Sequence, residues 1–163
     1  MESHDVLSLL AAIRGAGLEV WIGGGWGIDA LLGEQTRPHR DLDLMHREEQ
    51  EERLLSVLGG LGYAETLDWR PVRFVLTEPA GLDIDLHPLR FNADGSAVQS
   101  SLEDGRPFRY PADCFTTGLI EGEPVPCLSV AQQIEFHQGY EPAERDLEDM
   151  RRLREAFGVA THF

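Results

Sequence analysis

The stretch "RDLDLM" at residues 40 to 45 alternates aspartate with leucine. Strict alternation is the period of a half-buried strand, so Asp41 and Asp43 share one face while Leu42 and Leu44 enter a core on the other. The pattern recurs in "LDIDLH" at 82 to 87, which places Asp83, Asp85 and His87 together on one face. Like charges about 7 Å apart along a strand repel each other unless water or a cation lies over them. A fold built on these strands therefore needs an apolar layer beneath the sheet and an answer to the acids above it.

The rest of the chain supplies that layer. Val6, Leu9, Leu10 and Ile13 recur at helical spacing, and Gly15 and Gly17 end the helix. "LEVWIG" (18–23) reads as a buried strand, and "GGGWGIDALLGE" turns from it into a short helix. A charged helix near 47–61 carries Leu54, Leu55, Val57, Leu58 and Leu61. "VRFVLTE" and "LDIDLHPL" are two strands joined by "EPAG", "NADG" (92–95) is a turn, and 96–128 reads as irregular β structure. "SVAQ" (129–132) has the Ser-x-x-Gln form of a capping box and opens a helix that carries His137. A last helix, about 142–157, sets Leu147, Met150, Leu153 and Phe157 on one face. The expected class is α/β (α+β): a small mixed sheet flanked by helices, with a core over about 1–128 and C-terminal helices over about 129–163, all one domain.

Charge narrows the partners. Among 163 residues, 29 are acidic and 14 basic, a net charge of −15. That disfavours nucleic acid and anionic membranes and suits a cationic substrate. All 14 basic residues are arginine, which excludes a Walker A lysine and a Schiff-base lysine. No apolar run approaches the ~20 residues that cross a bilayer. The N-terminal stretch has no basic leader, and Cys114 and Cys127 lack metal spacing, so a reducing cytoplasm is the expected compartment.

Asp41, Asp43 and Asp85 are the candidate chemistry. Hard oxygen ligands gathered without histidine or thiolate partners suit Mg²⁺, which also takes phosphate oxygens. The alternative is a solvated acidic face paired with arginines. "IGGGWGID" follows a strand and opens a helix, where free N–H groups and the helix dipole favour phosphate. The same glycines loosely match a dinucleotide-binding fingerprint, with Glu48 or Glu49 as the ribose acid. That reading leaves the three aspartates unexplained.

Gly-Gly after a strand, Asp-x-Asp on the next and a third Asp on a later strand resemble the polymerase-β-like nucleotidyltransferases. "GGWGID", "HRDLDL", "WRPVRF", "DLHPLRFNADGS", "VPCLS" and "FHQGYEPAERDLEDMRRL", in that order, are similar to the short lincosamide nucleotidyltransferases and, more distantly, to the aminoglycoside 2″-adenylyltransferases. The resemblance implies an antibiotic-resistance enzyme that uses ATP and Mg²⁺ to move AMP onto a hydroxyl of a small antibiotic. Lincomycin or clindamycin is the first expectation and an aminoglycoside the second. It also implies a homodimer. On it, Gly23 and Gly24 form the turn that phosphates approach, Asp41 and Asp43 bind Mg²⁺, and Asp85 is third carboxylate and general base. Arg37, His39 and Arg40 lie near the triphosphate and stabilise the leaving pyrophosphate. A nucleotide-binding or protein-AMPylating antitoxin-like module is the reading from another class.

Other residues have plainer readings. His87 lines the site or orients a carboxylate, or else is a strand-end histidine. His137 is a satisfied core histidine. Asp29 complements its helix N-terminus, and Trp26 and Trp69 belong to the core. Arg145, Asp146 and Asp149 either resemble the family's acidic C-terminal helix or form a solvated, salt-bridged helix face.

Overall fold

The alternation of Leu42, Leu44, Ile84 and Leu86 with aspartates becomes the centre of a sheet. In the computed structural model, which describes residues 1–100 and 105–163, strand β2 (Asp41–Arg47) pairs in parallel with β5 (Asp83–Phe91). The register sets Asp41 opposite Asp83, Asp43 opposite Asp85, and Met45 opposite His87. Strand β1 (Val20–Ile22) lies antiparallel on the other side of β2. Strand β9 (Glu123–Leu128) then pairs in parallel with β1, and β8 (Phe115–Ile120) closes that edge. Beyond β5 come β4 (Arg73–Thr77) and an edge strand, β3 (Ala64–Trp69). The end of β5 also pairs with β6 (Ala97–Gln99), which carries β7 (Phe108–Tyr110).

Helix α1 (Ser3–Gly15) and helix α3 (Glu51–Gly60) cover the leucine face. Val6, Leu9 and Ile13 of the first and Leu54 and Leu58 of the second pack with Leu42, Leu44, Ile84 and Leu86 in one cluster. On the other face, Met45, Leu89, Ala97, Tyr110 and Leu128 form a second cluster. Helix α2 (Gly24–Leu32) meets α4 (Val130–Phe136) and α5 (Glu144–Phe157) through Ile28, Ile134, Met150 and Leu153. This is the mixed sheet with flanking and C-terminal helices that the sequence predicts.

Four expectations change. Residues 64–69 form a strand, β3, that the sequence reading left unassigned: its side chains are mostly exposed, so no apolar alternation marks it. On α5 only Met150 and Leu153 of the four apolar residues are buried, while Leu147 and Phe157 are exposed. The buried arc instead includes Asp146 and Asp149, so the inward face of this helix is partly charged. Trp26 is buried, but Trp69 is about half exposed and lies under the Arg73 guanidinium, 4.6 Å from ring centroid to Cζ. The expected irregular β region resolves, within its described residues, into β6 to β9; its residues 101–104 lie outside them.

Helix α2 sits close on the sheet because β8 offers no side chain at Gly118. A Cβ there would meet the Ala30 carbonyl and come within 2.9 Å of the Ala30 Cβ. Backbone cannot yield as a side-chain tip does, so Gly118→Ala is expected to destabilise the fold by about 1–3 kcal/mol, read as a lower urea midpoint with an unchanged slope.

Candidate active site

The site is built where β1 ends against β2. Gly23 N–H donates to the Asp43 carbonyl (3.0 Å), which carries the ladder one step beyond β1. Gly24 then turns with φ +54° into the first turn of α2, a left-handed conformation that favours glycine. A Cβ at Gly24 would collide with Asp43 Oδ2. The glycine turn and the Asp43 carboxylate are therefore in direct contact, beside backbone N–H groups at a helix start.

Across the ladder, Asp43 faces Asp85. The atoms that come together are one ligand atom each from Asp43, Asp85 and His87, all within 4.8 Å of one another. His87 Nε2 lies 3.0 Å from Asp43 Oδ1 and 3.8 Å from Asp85 Oδ1. Arg73, on β4, pairs with Asp85 Oδ2. Asp85 Oδ1 is buried without a hydrogen bond. Burial pushes the Asp85 carboxyl above its ordinary range, and the charge of Asp43 adds to this. His87 and Arg73 pull the other way without cancelling it.

An unbonded buried carboxylate oxygen beside a second carboxylate is a donor set that fits a hard divalent cation. Asp41 stands apart. It is exposed, one pleat along the ladder, opposite an Asp83 that accepts the Thr77 hydroxyl proton (2.6 Å). Asp83 is thus tied to its neighbour strand, and Asp85 is the acid that reaches the cluster.

The basic side chains ahead of the strand are placed by partners on helices α2 and α5. Arg37 forms a fork on Asp149 of α5, Nε to Oδ1 at 3.1 Å and Nη2 to Oδ2 at 2.7 Å. Burial works against the Arg37 charge, but the bond and charge of Asp149 outweigh it and raise its pKa. His39 is buried and bonded through Nε2 to Asp29, which also accepts from the Thr36 hydroxyl (2.6 Å). A Cβ at Gly25 would lie 2.5 Å from His39 Nδ1 and 2.6 Å from Arg37 Nη2. Both side chains therefore stand against the start of α2. Arg40 is exposed and makes no ion pair among the described residues.

Two plainer readings are corrected here. Asp29 lies in the C-terminal half of α2, not at its N-terminus, and serves as the buried anchor of His39. Asp149 is buried under Arg37 and does not belong to a solvated face, although Arg145 does reach Asp146 at 3.7 Å. His137 is the satisfied core histidine expected, its ring Nδ1 donating to the Gln133 carbonyl at 2.7 Å. A groove of about 860 Å³ lies elsewhere, lined by Leu10, Arg14, Trp21, Phe115, Val125 and Pro126 and not by Asp41, Asp43 or Asp85.

A strand ending in a glycine turn, paired acids on two parallel strands and a helical C-terminal part are matched by known proteins. The aminoglycoside-2″-adenylyltransferase family model matches residues 5–153. The chain belongs to this antibiotic nucleotidyltransferase family. A lincosamide resistance protein of Staphylococcus haemolyticus is 34% identical over 134 residues, 82% of this chain and 83% of that one. A 2″-aminoglycoside nucleotidyltransferase of Klebsiella pneumoniae is 33% identical over 124 residues, 74% of this chain but only 64% of that protein. The structure of lincosamide antibiotic adenylyltransferase LnuA with lincomycin bound superposes with a TM-score of 0.85. The two are 29% identical, and the match covers 94% of this chain and 97% of that one. A nucleotidyltransferase structure from Thermotoga maritima, 13% identical with a TM-score of 0.60, shares the fold. The enzyme class of the family is adenylyltransferase, and the fold is the polymerase-β-like nucleotidyltransferase fold expected from the sequence.

Because the Asp85 carboxyl is raised, its ionised form costs stability at neutral pH, and the native state regains that stability as pH falls through the raised pKa. In metal-free buffer at pH 7, Asp85→Asn is expected to melt above the wild type. The difference should vanish as pH approaches the ordinary carboxylate range, as thermal unfolding by circular dichroism at several pH values will show.

Proposed function

We propose that this enzyme transfers AMP from ATP to a hydroxyl of a lincosamide antibiotic, lincomycin or clindamycin, and so inactivates it. The observation that carries this reading is the Asp43–Asp85 pair at the mouth of the Gly23–Gly24 turn, with one Asp85 oxygen buried and unbonded. The near-complete mutual coverage with the lincomycin-bound adenylyltransferase favours the lincosamide.

Asp85 is the general base. It accepts the hydroxyl proton as the oxygen attacks the α-phosphorus. The new P–O bond forms in line with the bond that breaks, and pyrophosphate leaves with the electron pair. Gly23 and Gly24 let the phosphates approach the backbone at the start of α2. Arg37 and His39, standing against that helix start, and Arg40 beside them offset the charge of the departing pyrophosphate. Asp43 and Asp85 would hold Mg²⁺, with Asp41 one pleat along the same face as a further carboxylate, and the ion would neutralise triphosphate charge when bound. Positioning and electrostatics supply most of the rate.

Residues 1–163 act as one nucleotidyltransferase domain in this reading, working in the cytoplasm as a homodimer. No helix of the described residues is long and apolar enough to cross a membrane, and both cysteines are free. An aminoglycoside acceptor is the second reading, favoured by the net charge of −15 and by the Klebsiella relative.

The test is mass spectrometry of lincomycin, clindamycin and an aminoglycoside panel after incubation with the protein, ATP and Mg²⁺. A lincosamide is expected to gain one AMP. A gain on an aminoglycoside alone moves the acceptor to the second reading, and labelling of a protein instead points to the AMPylating module. Asp85→Asn is expected to lower turnover by at least ~100-fold while the protein stays folded; normal turnover would remove Asp85 as base.

A further inference from the structure

Behind the acids lies a buried chain of hydrogen bonds that starts two strands away. Tyr110 of β7, fully buried, donates its hydroxyl proton to Gln99 Oε1 at 2.7 Å. The Gln99 amide nitrogen, on β6, faces two atoms: the Val72 carbonyl at 2.8 Å and His87 Nδ1 at 3.1 Å. His87 Nε2 then faces Asp43 Oδ1 at 3.0 Å.

The direction of this chain follows from one atom. A backbone carbonyl only accepts, so the nitrogen of Gln99, and not its oxygen, must face Val72. A Tyr110 hydroxyl donating to the other end of the amide agrees with that orientation. An amide nitrogen carries two protons and no available lone pair. With one proton on Val72, the other goes to His87 Nδ1, which must accept it. A ring that accepts at Nδ1 carries its proton on Nε2, and that proton is the one aimed at Asp43. His87 is packed in this pose edge-on to Phe136, ring centroids 5.5 Å apart.

We infer that Gln99 is a positioning residue of the active site: by holding His87 in its Nε2–H form, it makes His87 a hydrogen-bond donor to Asp43 and keeps the ring from acting as a metal ligand. Geometry alone groups Asp43, Asp85 and His87 as three potential ligand atoms. The protonated Nε2 removes His87 from that set and leaves oxygens only, which suits a hard cation over zinc. The bond also occupies Asp43 Oδ1, so that Oδ2 is the oxygen presented at the Gly24 turn. The tautomer stands independently of the adenylyl-transfer reading, whereas the effect on turnover rests on it.

The experiment is long-range ¹⁵N–¹H correlation NMR of the histidine rings near neutral pH, before and after addition of Mg²⁺ alone, with His87 assigned from the missing signals of His87→Asn. The expected result is protonated Nε2 and unprotonated Nδ1, unchanged by Mg²⁺. A proton on Nδ1, on both nitrogens, or loss of the Nε2 proton with Mg²⁺ overturns the inference. Gln99→Glu puts an acceptor where the amide donor was, so a folded variant is expected to move the ring proton to Nδ1. Its kcat should fall roughly 10- to 100-fold with little change in KM for the antibiotic. Tyr110→Phe, which keeps the Val72 contact, should retain the wild-type tautomer. A folded Gln99→Glu protein with the wild-type tautomer also sinks the idea. No adenylated product from any acceptor, with the Nε2–H ring observed, would instead remove the proposed reaction and leave the His87 assignment in place.

Discussion

The register of β2 on β5 is the constraint on which the rest depends. In a parallel ladder one residue of slip turns every side chain to the opposite face. Here the register buries Leu42, Leu44, Ile84 and Leu86 under α1 and α3, and the same alignment places Asp43 beside Asp85. The core and the acid pair are two faces of one choice. The apolar side fixes the alignment, since four large side chains cannot be moved into water without losing several kcal/mol of burial. The acids are held together against their own repulsion by that stabilisation.

What remains of the repulsion is managed locally. Arg73 covers one Asp85 oxygen and His87 meets one oxygen of Asp43, so each acid has a polar partner from the sheet itself. Neither partner lies on β2. One comes from β4, the other from β5 with support reaching back to β6 and β7. The short strands β6 and β7 would otherwise look like decoration on the end of β5. They serve as the wall on which the site histidine is mounted.

Much of this was legible in the chain. Period-two alternation needs only neighbours in sequence, so both acid strands, their faces and the glycine turn could be read directly. The ordered motifs led to the family. Partnerships between different elements were not legible: Asp29 with His39, Arg37 with Asp149, and Gln99 with His87. A buried aspartate and a surface aspartate look alike in a helical sequence, and only tertiary packing tells them apart. The sequence leaves Asp149 between two readings for that reason and puts Leu147 on the wrong side, because the burial of α5 is centred on a charged anchor. Edge strand β3 was hidden because an exposed edge needs no apolar face.

The fork between Arg37 and Asp149 has a mechanical meaning. A guanidinium does not give up its proton, and Asp149 is buried, so pulling the two apart leaves a bare carboxylate inside the protein. The segment leading into the acid strand is hence riveted to the last helix, more than a hundred positions further along the chain. The position of Arg37 against the start of α2 therefore depends on where the last helix packs.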